Sequence, residues 1–377
     1  MQALTVPRAS SRLFSSIARQ TAISCRHNST TAHTTSPFAP RHFLSIDDLT
    51  PKEFETLVSR GSELKSITKS SRVPSDLAKS LAGESIALIF SKLSTRTRVS
   101  TEGAVALLGG HPMFLGKNDI QLGVNESLYD SSVVISSMVS GIVARVNAHA
   151  DVANLAKWSS VPVINALSDS FHPMQIVADF ITIKEAYAAE GVDNLQELKI
   201  SWIGDANNVL YDLALGAAKL GLTVSVATPK GYEIPDSFRK LILAAGDKAG
   251  RGFKLEETNV PEEALKDADI VVTDTWVSMG QEEETAKRLK AFAGYQITND
   301  LVKRGGAKEN WKFMHCLPRH PDEVADEVFY SPRSLVFPEA ENRLWSCLAV
   351  LEAFVVNKGK IVDGSKTTGS MANPAEV

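Results

Sequence analysis

The chain has 377 residues, which is enough for two domains of ordinary size with a buried core each. Its apolar fraction of 44% and charged fraction of 22% are typical of a soluble globular protein. A net charge of −4 gives no indication of a nucleic-acid or membrane partner, and no apolar run approaches the roughly 20 residues that span a bilayer.

The first 36 residues differ in composition from the rest of the chain and predict a mitochondrial transit peptide, with simple disorder as the alternative. Serine and threonine are frequent, and no Asp or Glu occurs before Asp47. The arginines of this segment are Arg8, Arg12, Arg19 and Arg26. The apolar residues that can share the opposite helical face are Leu13, Phe14, Ile17 and Ala18. Cys25 lies in this segment, so Cys316 and Cys347 alone would remain, which fits the reducing mitochondrial matrix.

The remainder alternates short apolar runs with amphipathic stretches. A helix is predicted from Ile46 to Leu64, entered through Asp47 or Thr50, with a polar connection over Ser62–Lys79. The predicted strands are Ile86–Phe90, Pro112–Leu115, Ile142–Val146, Val161–Ala166, Ile200–Ile203, Thr223–Ala227, Phe253–Glu256, Ile270–Thr273 and Phe313–Cys316. The helices predicted between them are Thr97–Leu108, Asp130–Val139, Val152–Trp158, Pro173–Ala189, Val209–Leu220, Ser237–Ala245, Glu262–Asp267 and Glu282–Phe292.

This rhythm predicts an α/β protein with two doubly wound parallel-sheet domains, joined by long helices, and an active site in the cleft between them. The predicted domains span 41–185 and 191–340, because Gly191 ends the long helix that begins at Pro173. A helix is predicted over Glu339–Val356, and the segment 341–358 is predicted to return to the first domain. Residues 359–377 are predicted to be a flexible tail.

The stretch after the first predicted strand carries an unusual charge pattern. Arg96 and Arg98 open a helix, where the macrodipole disfavours cations unless an anion binds there. The hydroxyls of Ser94, Thr95 and Thr97 add donors for phosphate oxygens. We therefore predict a phosphate site, although simple helix capping by Ser94 or Thr95 would also explain the hydroxyls. No GxxxxGK[ST] pattern occurs, so a nucleotide of the P-loop kind is not expected.

Further polar residues follow other predicted strands. Arg145 ends a strand, where it can bind an anion, polarise a carbonyl or cover the sheet edge. His172 opens a helix together with Gln175, and the helix dipole would keep this histidine neutral; it could also simply cap the helix. Gly204 to Asn208 lacks the second and third glycines of a dinucleotide site, whereas Asn207 could hold a carboxylate.

Two more clusters lie in the second half. Asp274 follows a predicted strand and precedes a small-residue loop in which Gly280 could act as a hinge. This arrangement suits the binding of an ammonium group, but it also suits an ordinary strand-to-helix connection. Cys316 lies at the end of a predicted strand, where three interpretations are open. It could be a low-pKa thiolate that accepts a substrate proton, a residue that only lines the site, or an inert buried thiol. No second Cys or His has suitable spacing for a metal, so none is predicted.

The ordered set of motifs resembles that of ornithine carbamoyltransferases, from about residue 42 to 360. The matching stretches are Phe90-x-Lys-x-Ser-Thr-Arg-Thr-Arg98, Asp119-Ile-Gln-Leu-Gly123, Ala144-Arg-Val146, His172-Pro-x-Gln175, Asp274-Thr-Trp-x-Ser-Met-Gly280, His315-Cys-Leu-Pro318 and Glu341-Asn-Arg343. Ala206 departs mildly from the family pattern, where many relatives have glycine. Lys92 matches the first motif, but neither the motif nor its position assigns it a role.

The resemblance implies a set of site residues. Carbamoyl phosphate would be bound by Ser94, Thr95, Arg96, Thr97, Gln121, Arg145, His172, Gln175, Cys316, Leu317 and Arg343. L-Ornithine would be bound by Asn207, Asp274, Ser278 and Met279. Gln121 matches a residue that the family inserts into a neighbouring subunit's site, which implies a homotrimer.

The implied reaction transfers the carbamoyl group to the side-chain amine of ornithine, giving citrulline and phosphate. Cys316, Arg145 and His172 are the expected catalytic residues. The candidate proton acceptor is Cys316, alone or together with Asp274, unless ornithine binds already neutral. The scheme requires neither a metal nor an organic cofactor. The alternatives are another acceptor, such as putrescine, a modified ornithine or aspartate, a nicotinamide-dependent dehydrogenase, or a non-catalytic binding protein.

Overall fold

The computed structural model describes residues 40–120, 126–192, 194–277 and 284–362. The predicted transit peptide therefore lies outside the described residues, as do Gln121, Ser278, Met279 and most of the predicted tail. Within the described ranges, no helix is both long and apolar enough to cross a membrane.

Two parallel sheets organise the chain, which confirms the predicted α/β class. The first sheet has the strand order β2-β1-β3-β4 and the second β7-β6-β5-β8-β9, and every strand pair in both is parallel. The strands of the first sheet are β1 (Ser85–Phe90), β2 (His111–Gly116), β3 (Gly141–Arg145) and β4 (Val163–Leu167). Those of the second are β5 (Lys199–Ile203), β6 (Thr223–Ala227), β7 (Lys254–Thr258), β8 (Ile270–Val272) and β9 (Lys312–Met314).

Helices connect the strands and cover the sheets. They are α1 (Pro51–Ser70), α2 (Thr95–Leu107), α3 (Leu128–Ser136), α4 (His149–Trp158), α5 (Pro173–Ala188), α6 (Asn208–Leu220), α7 (Asp236–Ala249), α8 (Pro261–Leu265), α9 (Thr285–Ala291), α10 (Asn299–Gly305), α11 (Asp326–Phe329) and α12 (Val336–Leu351). A π-helical turn over Glu352–Val356 extends α12. Helix α12 packs against α1, α2 and α5.

The central strands form because their apolar runs are buried on both faces. Every residue of β1 except Ser85 is buried, and all of β3 is buried, as expected for parallel strands covered by helices on each side. In each sheet the strand that comes first in the chain, β1 or β5, lies between two later strands. The chain therefore adds strands in opposite directions on the two sides of β1 and of β5. Ligands bind at such reversal points, beyond the carboxyl ends of the strands.

The first predicted helix has the wrong limits, Ile46 and Leu64, although entry through Thr50, one of the two predicted, is confirmed. Ile46–Asp48 forms a separate 3-10 turn, because Thr50 caps α1 through the Glu53 amide and Pro51 begins it. The predicted polar connection over Ser62–Lys79 is also wrong for its first half, since α1 continues to Ser70.

The extension of α1 depends on tertiary contacts. Leu64 is buried, and Lys65 donates to Glu185 of α5 at 2.6 Å and to Asn342 of α12 at 2.8 Å. A polar-looking helical turn is thus stabilised by partners that lie far away in the sequence. Helices α10 and α11 were not predicted, because each is one or two turns long and carries little periodicity.

Candidate active site

A cavity of about 1220 Å³ opens at the carboxyl ends of both sheets. All of the predicted site residues within the described ranges line it, namely Ser94, Thr95, Arg96, Thr97, Arg145, His172, Gln175, Asn207, Asp274, Cys316, Leu317 and Arg343. The three others, Gln121, Ser278 and Met279, lie outside the described residues. The cavity therefore joins residues that are up to about 250 positions apart in the chain.

The beginning of α2 is arranged as an anion site. Ser94 is the N-cap, and its hydroxyl oxygen accepts from the Thr97 amide at 3.2 Å. The Ser94 hydroxyl donates to Thr97 Oγ1 at 2.9 Å. Capping by Ser94 therefore does occur, as the alternative interpretation held. The first turn of α2 also lines the cavity, where backbone N–H groups without a partner inside the helix can bind an anion.

The two arginines of this turn have different environments. Arg96 lines the cavity, and its Nη2 donates to the Leu317 carbonyl at 2.5 Å. Arg98 instead pairs with Glu102 at 2.9 Å and lies 3.7 Å from the centre of the Phe114 ring. Successive helical residues point about 100° apart, so residues two positions apart face nearly opposite directions. The expectation that both arginines need an anion is thus wrong for Arg98.

Three arginines converge on the cavity from α2, β3 and α12. Burial and then the positive charges of Arg343 and Arg96 lower the pKa of Arg145 to about 10. Burial also lowers the pKa of Arg343. None of the three forms an ion pair with a carboxylate in the part of the chain that the structure describes. Burying this much positive charge is costly, and an anion bound among the three arginines would offset that cost.

Two of these guanidinium groups have unused donors. The Nε atoms of Arg145 and Arg343 are buried without a hydrogen-bond partner among the described residues. A buried donor left unsatisfied costs about 1–3 kcal/mol. Such a cost is expected at a binding site, because a bound ligand can accept hydrogen bonds from these donors.

His172 sits at the N-cap position of α5, but its side chain makes no capping hydrogen bond. The helix-capping interpretation of this histidine is therefore wrong. Its backbone N–H donates to Asp212 Oδ2 at 2.8 Å, and its ring Nδ1 has no partner among the described residues. Burial and then the charges of Arg343, Arg145 and Arg96 place its pKa well below the usual range. The imidazole is neutral at pH 7, as the sequence predicts, and can donate one hydrogen bond to a developing oxyanion.

Asn207, Asp274 and Cys316 form a group on the second sheet's side of the cavity. Asn207 Oδ1 accepts from the Val209 amide at 3.0 Å and so caps α6, while its Nδ2 donates to Asp274 Oδ2 at 2.8 Å. The Cys316 thiol donates to Asp274 Oδ1 at 3.2 Å. Asp274 is thus held by two donors at the cavity wall, with lone pairs left to accept from a bound amine or ammonium group.

The environment of Cys316 does not support a low-pKa thiolate. Burial and the negative charge of Asp274 raise its pKa well above the ordinary value, so the group is a thiol at pH 7. A thiol that donates to Asp274 can act on a substrate proton only if it passes its own proton to that carboxylate.

The segment after β9 shapes the wall next to Arg96. His315 Nδ1 accepts from the Leu317 amide at 2.8 Å, and Leu317 adopts a left-handed conformation with φ of 63°. A non-glycine residue in that region costs of the order of 1 kcal/mol or more. This conformation turns the Leu317 carbonyl toward Arg96, which bonds it.

One group of side chains could hold a metal ion. Asp274, His315 and Cys316 each offer a ligand atom, and these atoms lie within 4.8 Å of one another. Sequence spacing did not indicate this group, because Asp274 is 41 positions from its nearest partner. The surrounding arginine charges oppose binding of a divalent cation, and the absence of a metal requirement stays a prediction.

Sequence reasoning missed or left unassigned several cavity residues. Arg288 lines the cavity and its Nη1 donates to Asp205 Oδ2 at 2.8 Å and to the Trp276 carbonyl at 2.9 Å. Nothing in the charge pattern of α9 distinguishes Arg288 from its solvent-facing neighbours. Lys92 also lines the cavity, and burial followed by the charge of Arg145 lowers its pKa, which indicates that its ammonium group lies near Arg145.

Comparison with known proteins identifies both halves of the chain. Residues 41–185 match the family model described as the aspartate/ornithine carbamoyltransferase carbamoyl-P binding domain. Residues 196–354 match the model described as the aspartate/ornithine carbamoyltransferase Asp/Orn binding domain.

Individual relatives agree with these family models. A mitochondrial ornithine carbamoyltransferase of Aspergillus terreus is 66% identical over 340 residues, covering 89% of this chain and 94% of the relative. The relative with the same description in Schizosaccharomyces pombe is 55% identical over 325 residues, covering 86% of this chain and 97% of its own.

Solved structures give the same result. The crystal structure of a mitochondrial ornithine carbamoyltransferase from Coccidioides immitis matches with a TM-score of 0.81 and 63% identity, covering 86% of this chain and all 100% of its own. The ornithine carbamoyltransferase of Pyrococcus furiosus matches with a TM-score of 0.77 and 42% identity, over 85% of this chain and 98% of its own. The chain therefore belongs to the aspartate/ornithine carbamoyltransferase family.

Proposed function

We propose that this protein transfers the carbamoyl group of carbamoyl phosphate to the side-chain amine of L-ornithine, giving L-citrulline and phosphate, as the names of its relatives indicate for those proteins. The observation that carries this proposal is the convergence of Arg96, Arg145 and Arg343 beside the first turn of α2 without carboxylate partners in the described ranges. A dianionic phosphoryl group beside a neutral carbonyl group matches that distribution of charge.

The phosphate half of the donor would occupy the beginning of α2. The backbone N–H groups of the first turn and the hydroxyls of Ser94, Thr95 and Thr97 supply donors, and Arg96 supplies a planar fork for two oxygens. Binding there would require Arg96 to exchange the Leu317 carbonyl for phosphate oxygens. That exchange would couple donor binding to a movement of the segment that also carries Cys316.

The carbamoyl group would lie toward Arg145, His172 and Gln175. The neutral amine attacks the carbamoyl carbon, and negative charge collects on the carbonyl oxygen. Arg145 and the neutral His172, which are both buried, would stabilise that charge together with the hydroxyl of Thr97. The C–O bond to phosphate then breaks, the attacking nitrogen gives up one proton to a phosphate oxygen, and the leaving group departs as hydrogen phosphate, whose charge the α2 site would neutralise.

The amine must lose a proton before it attacks. The ammonium group of ornithine would meet Asp274 and Cys316, which are hydrogen-bonded to each other. Cys316 is a protonated thiol, so it can take a proton from the ammonium group only if it gives its own proton to Asp274 at the same time. The alternative, in which the substrate binds as the free amine, needs no relay. Both routes form one C–N bond, break one C–O bond and use no electron carrier, so the scheme requires no organic cofactor.

We propose a homotrimer with sites shared between subunits, located in the mitochondrial matrix. Half of the exposed large apolar side chains among the described residues fall within 93–138, namely Leu93, Val99, Met113, Tyr129, Val133, Val134 and Met138. This concentration is typical of a subunit interface. The mitochondrial location is supported by the names of the fungal relatives and by the composition of residues 1–36.

A citrulline assay tests the acceptor. The purified protein is incubated with carbamoyl phosphate and either L-ornithine, putrescine or L-aspartate, and the carbamoylated product is identified by mass. We expect kcat/KM to be highest with ornithine, because Asp274 and the following small-residue loop suit a free α-amino acid. Higher activity with putrescine would overturn the ornithine assignment while leaving carbamoyl transfer intact.

A further inference from the structure

Two buried carboxyl groups lie behind the cavity wall and have no part in the mechanism above. Asp179 of α5 is 3% exposed and Glu339 of α12 is 2% exposed, and neither lines the cavity. Each stands one helical turn from a cavity residue, Asp179 from Gln175 and Glu339 from Arg343. Burying two acids beside each other is costly, so their contacts indicate what they do.

Both carboxyl groups bind the same side-chain amide. Gln175 Nε2 donates to Asp179 Oδ1 at 2.7 Å and to Glu339 Oε1 at 3.0 Å. Gln175 Oε1 accepts from Arg343 Nη1 at 2.6 Å. Both hydrogens of the Gln175 amide are therefore used, whereas its oxygen has one lone pair left on the side of Arg343.

The two carboxyl groups also contact each other, and Glu339 contacts the chain after β9. Glu339 Oε2 accepts from the His315 backbone N–H at 3.0 Å. Asp179 and Glu339 are hydrogen-bonded to each other, and burial raises the pKa of both carboxyls. Two carboxyls buried against each other share one proton, and the oxygens that face Gln175 Nε2 act as acceptors.

This arrangement permits one orientation of the amide. If the Gln175 amide turned over, its oxygen would meet the acceptor Asp179 and its nitrogen would meet the donor Arg343. A buried amide with both ends mismatched loses hydrogen bonds on each side, so the observed orientation is strongly preferred. The oxygen of Gln175 is consequently the end presented toward Arg343 and the cavity.

We infer that Asp179 and Glu339 are positioning residues, which fix the Gln175 amide with its oxygen toward the donor and so make the site select a carbonyl group that bears N–H over one that bears methyl. This inference rests on the proposed function, since it assumes that the carbamoyl group lies against Gln175. Neither carboxyl touches the substrate, and the selection acts through Gln175.

A matched pair of stable donor analogues tests this selection. Phosphonoacetamide carries an amino group on its carbonyl carbon, acetonylphosphonate carries a methyl group there, and inorganic phosphate carries neither. Their inhibition constants against carbamoyl phosphate are measured for the wild type and for Asp179→Leu. Without Asp179, Glu339 is the one remaining carboxyl that accepts from Gln175 Nε2, so the amide is held less firmly in the observed orientation. We expect the preference for phosphonoacetamide over acetonylphosphonate to fall about fivefold, with phosphate binding changed less than about twofold.

Two further variants separate positioning from general loss of structure. Asp179→Asn keeps an acceptor for Gln175 Nε2 and changes no volume, and its new amide nitrogen can donate to Glu339 once that carboxyl has ionised. It is therefore expected to retain the wild-type preference within about twofold. Glu185→Gln is the matched control, because Glu185 also joins α5 to α12, through Asn342 at 3.1 Å, but does not contact Gln175. It is expected to retain the preference and the phosphate affinity.

Several results would overturn the inference. Equal weakening of all three inhibitors in Asp179→Leu would show a merely structural role, and so would an unchanged preference. If Asp179→Leu does not fold, Glu339→Gln carries the same comparison without a change of volume, since an amide has one oxygen where the carboxyl has two acceptors. Wild-type citrulline formation is measured first: if it is absent the proposed function fails, and if it is present with an unchanged preference only the inference fails.

Discussion

At the scale of single residues, the sequence predicts chemistry best where the partners are close in the chain. Ser94 and Thr97 contact each other three residues apart, and the capping and the anion site at α2 follow from local rules. Asp179 and Glu339 could not be predicted, because the partner that explains Glu339 lies 164 positions away at Gln175. Buried acids in apolar helices give no sequence signal of what they bind.

Arg96→Ala is expected to reduce kcat/KM by about a thousandfold or more without unfolding the protein. Arg96 contributes charge and a bidentate donor to the phosphate site, whereas its only protein hydrogen bond among those described is to the Leu317 carbonyl. Steady-state citrulline kinetics and a thermal melt provide the two measurements. Near-normal turnover would contradict the role of the α2 site.

Arg98→Ala is the matched control for Arg96→Ala. It removes the same charge from the same helical turn, but Arg98 pairs with Glu102 and packs on Phe114 outside the cavity. It is expected to retain most of the activity and to lower the free energy of unfolding by about 1 kcal/mol or less. Equal losses in both variants would mean that total helix charge, rather than the placement of Arg96, determines activity.

At the scale of elements, strands were predicted more accurately than helix ends. In β1 and β6 every residue after the first is buried, so the limits of these strands follow largely from burial. The end of α1 depends on Lys65 reaching Glu185 and Asn342, which is information the local sequence does not contain. Helix ends are thus set by the neighbours that the fold supplies.

Gly216→Ala is expected to destabilise the protein although alanine favours helices. Gly216 lies inside α6, and an added Cβ would stand 2.7 Å from Phe180 Cε2 and 3.1 Å from Phe54 Cζ, two rings that are fully buried. Overpacking of this kind costs about 1–3 kcal/mol, which exceeds the helix-propensity gain of about 1 kcal/mol. Urea denaturation measures the difference.

Gly103→Ala is the control for this helix contact. Its Cβ would meet Leu344 Cδ1 at 3.2 Å, the end of a flexible side chain that can move. We expect a change between neutral and about 1 kcal/mol stabilising, because the propensity gain of alanine is retained. A Gly216 variant as stable as the Gly103 variant would show that the α5–α6 contact can relax.

At the scale of the whole molecule, Asp212 links the second half of the chain to the first. It lies on α6 and accepts from the Ile46 amide at 3.0 Å, from the Ser45 hydroxyl at 3.2 Å and from the His172 amide at 2.8 Å. Burial raises its pKa from 3.8 to about 8 in spite of these donors, which favour the ionised form. The orientation of His172 in the cavity therefore depends on a titrating group on the opposite half.

Asp212→Asn is expected to become more stable relative to the wild type as the pH rises from about 4 to 8. The folded protein binds the Asp212 proton more tightly than the unfolded chain, so this group's stabilisation is full below pH 3.8 and is lost as the pH rises to about 8. The variant does not titrate there. The difference in free energy of unfolding should change by at most about 1.4 kcal/mol per pH unit within this window. A difference independent of pH would show that Asp212 stays ionised throughout.

Shared sites predict that two inactive variants restore each other's activity. If Gln121 of one subunit completes the site of its neighbour, Gln121→Ala and Arg96→Ala each damage every site of their own trimer. In mixed trimers, a site is intact when it takes Arg96 from a Gln121→Ala subunit and Gln121 from an Arg96→Ala subunit. After denaturation and refolding together in equal amounts, random assembly gives about a quarter of wild-type activity. The same mixture without subunit exchange is the control and should stay inactive. Absence of recovery in verified mixed trimers would mean that each site is built from a single chain.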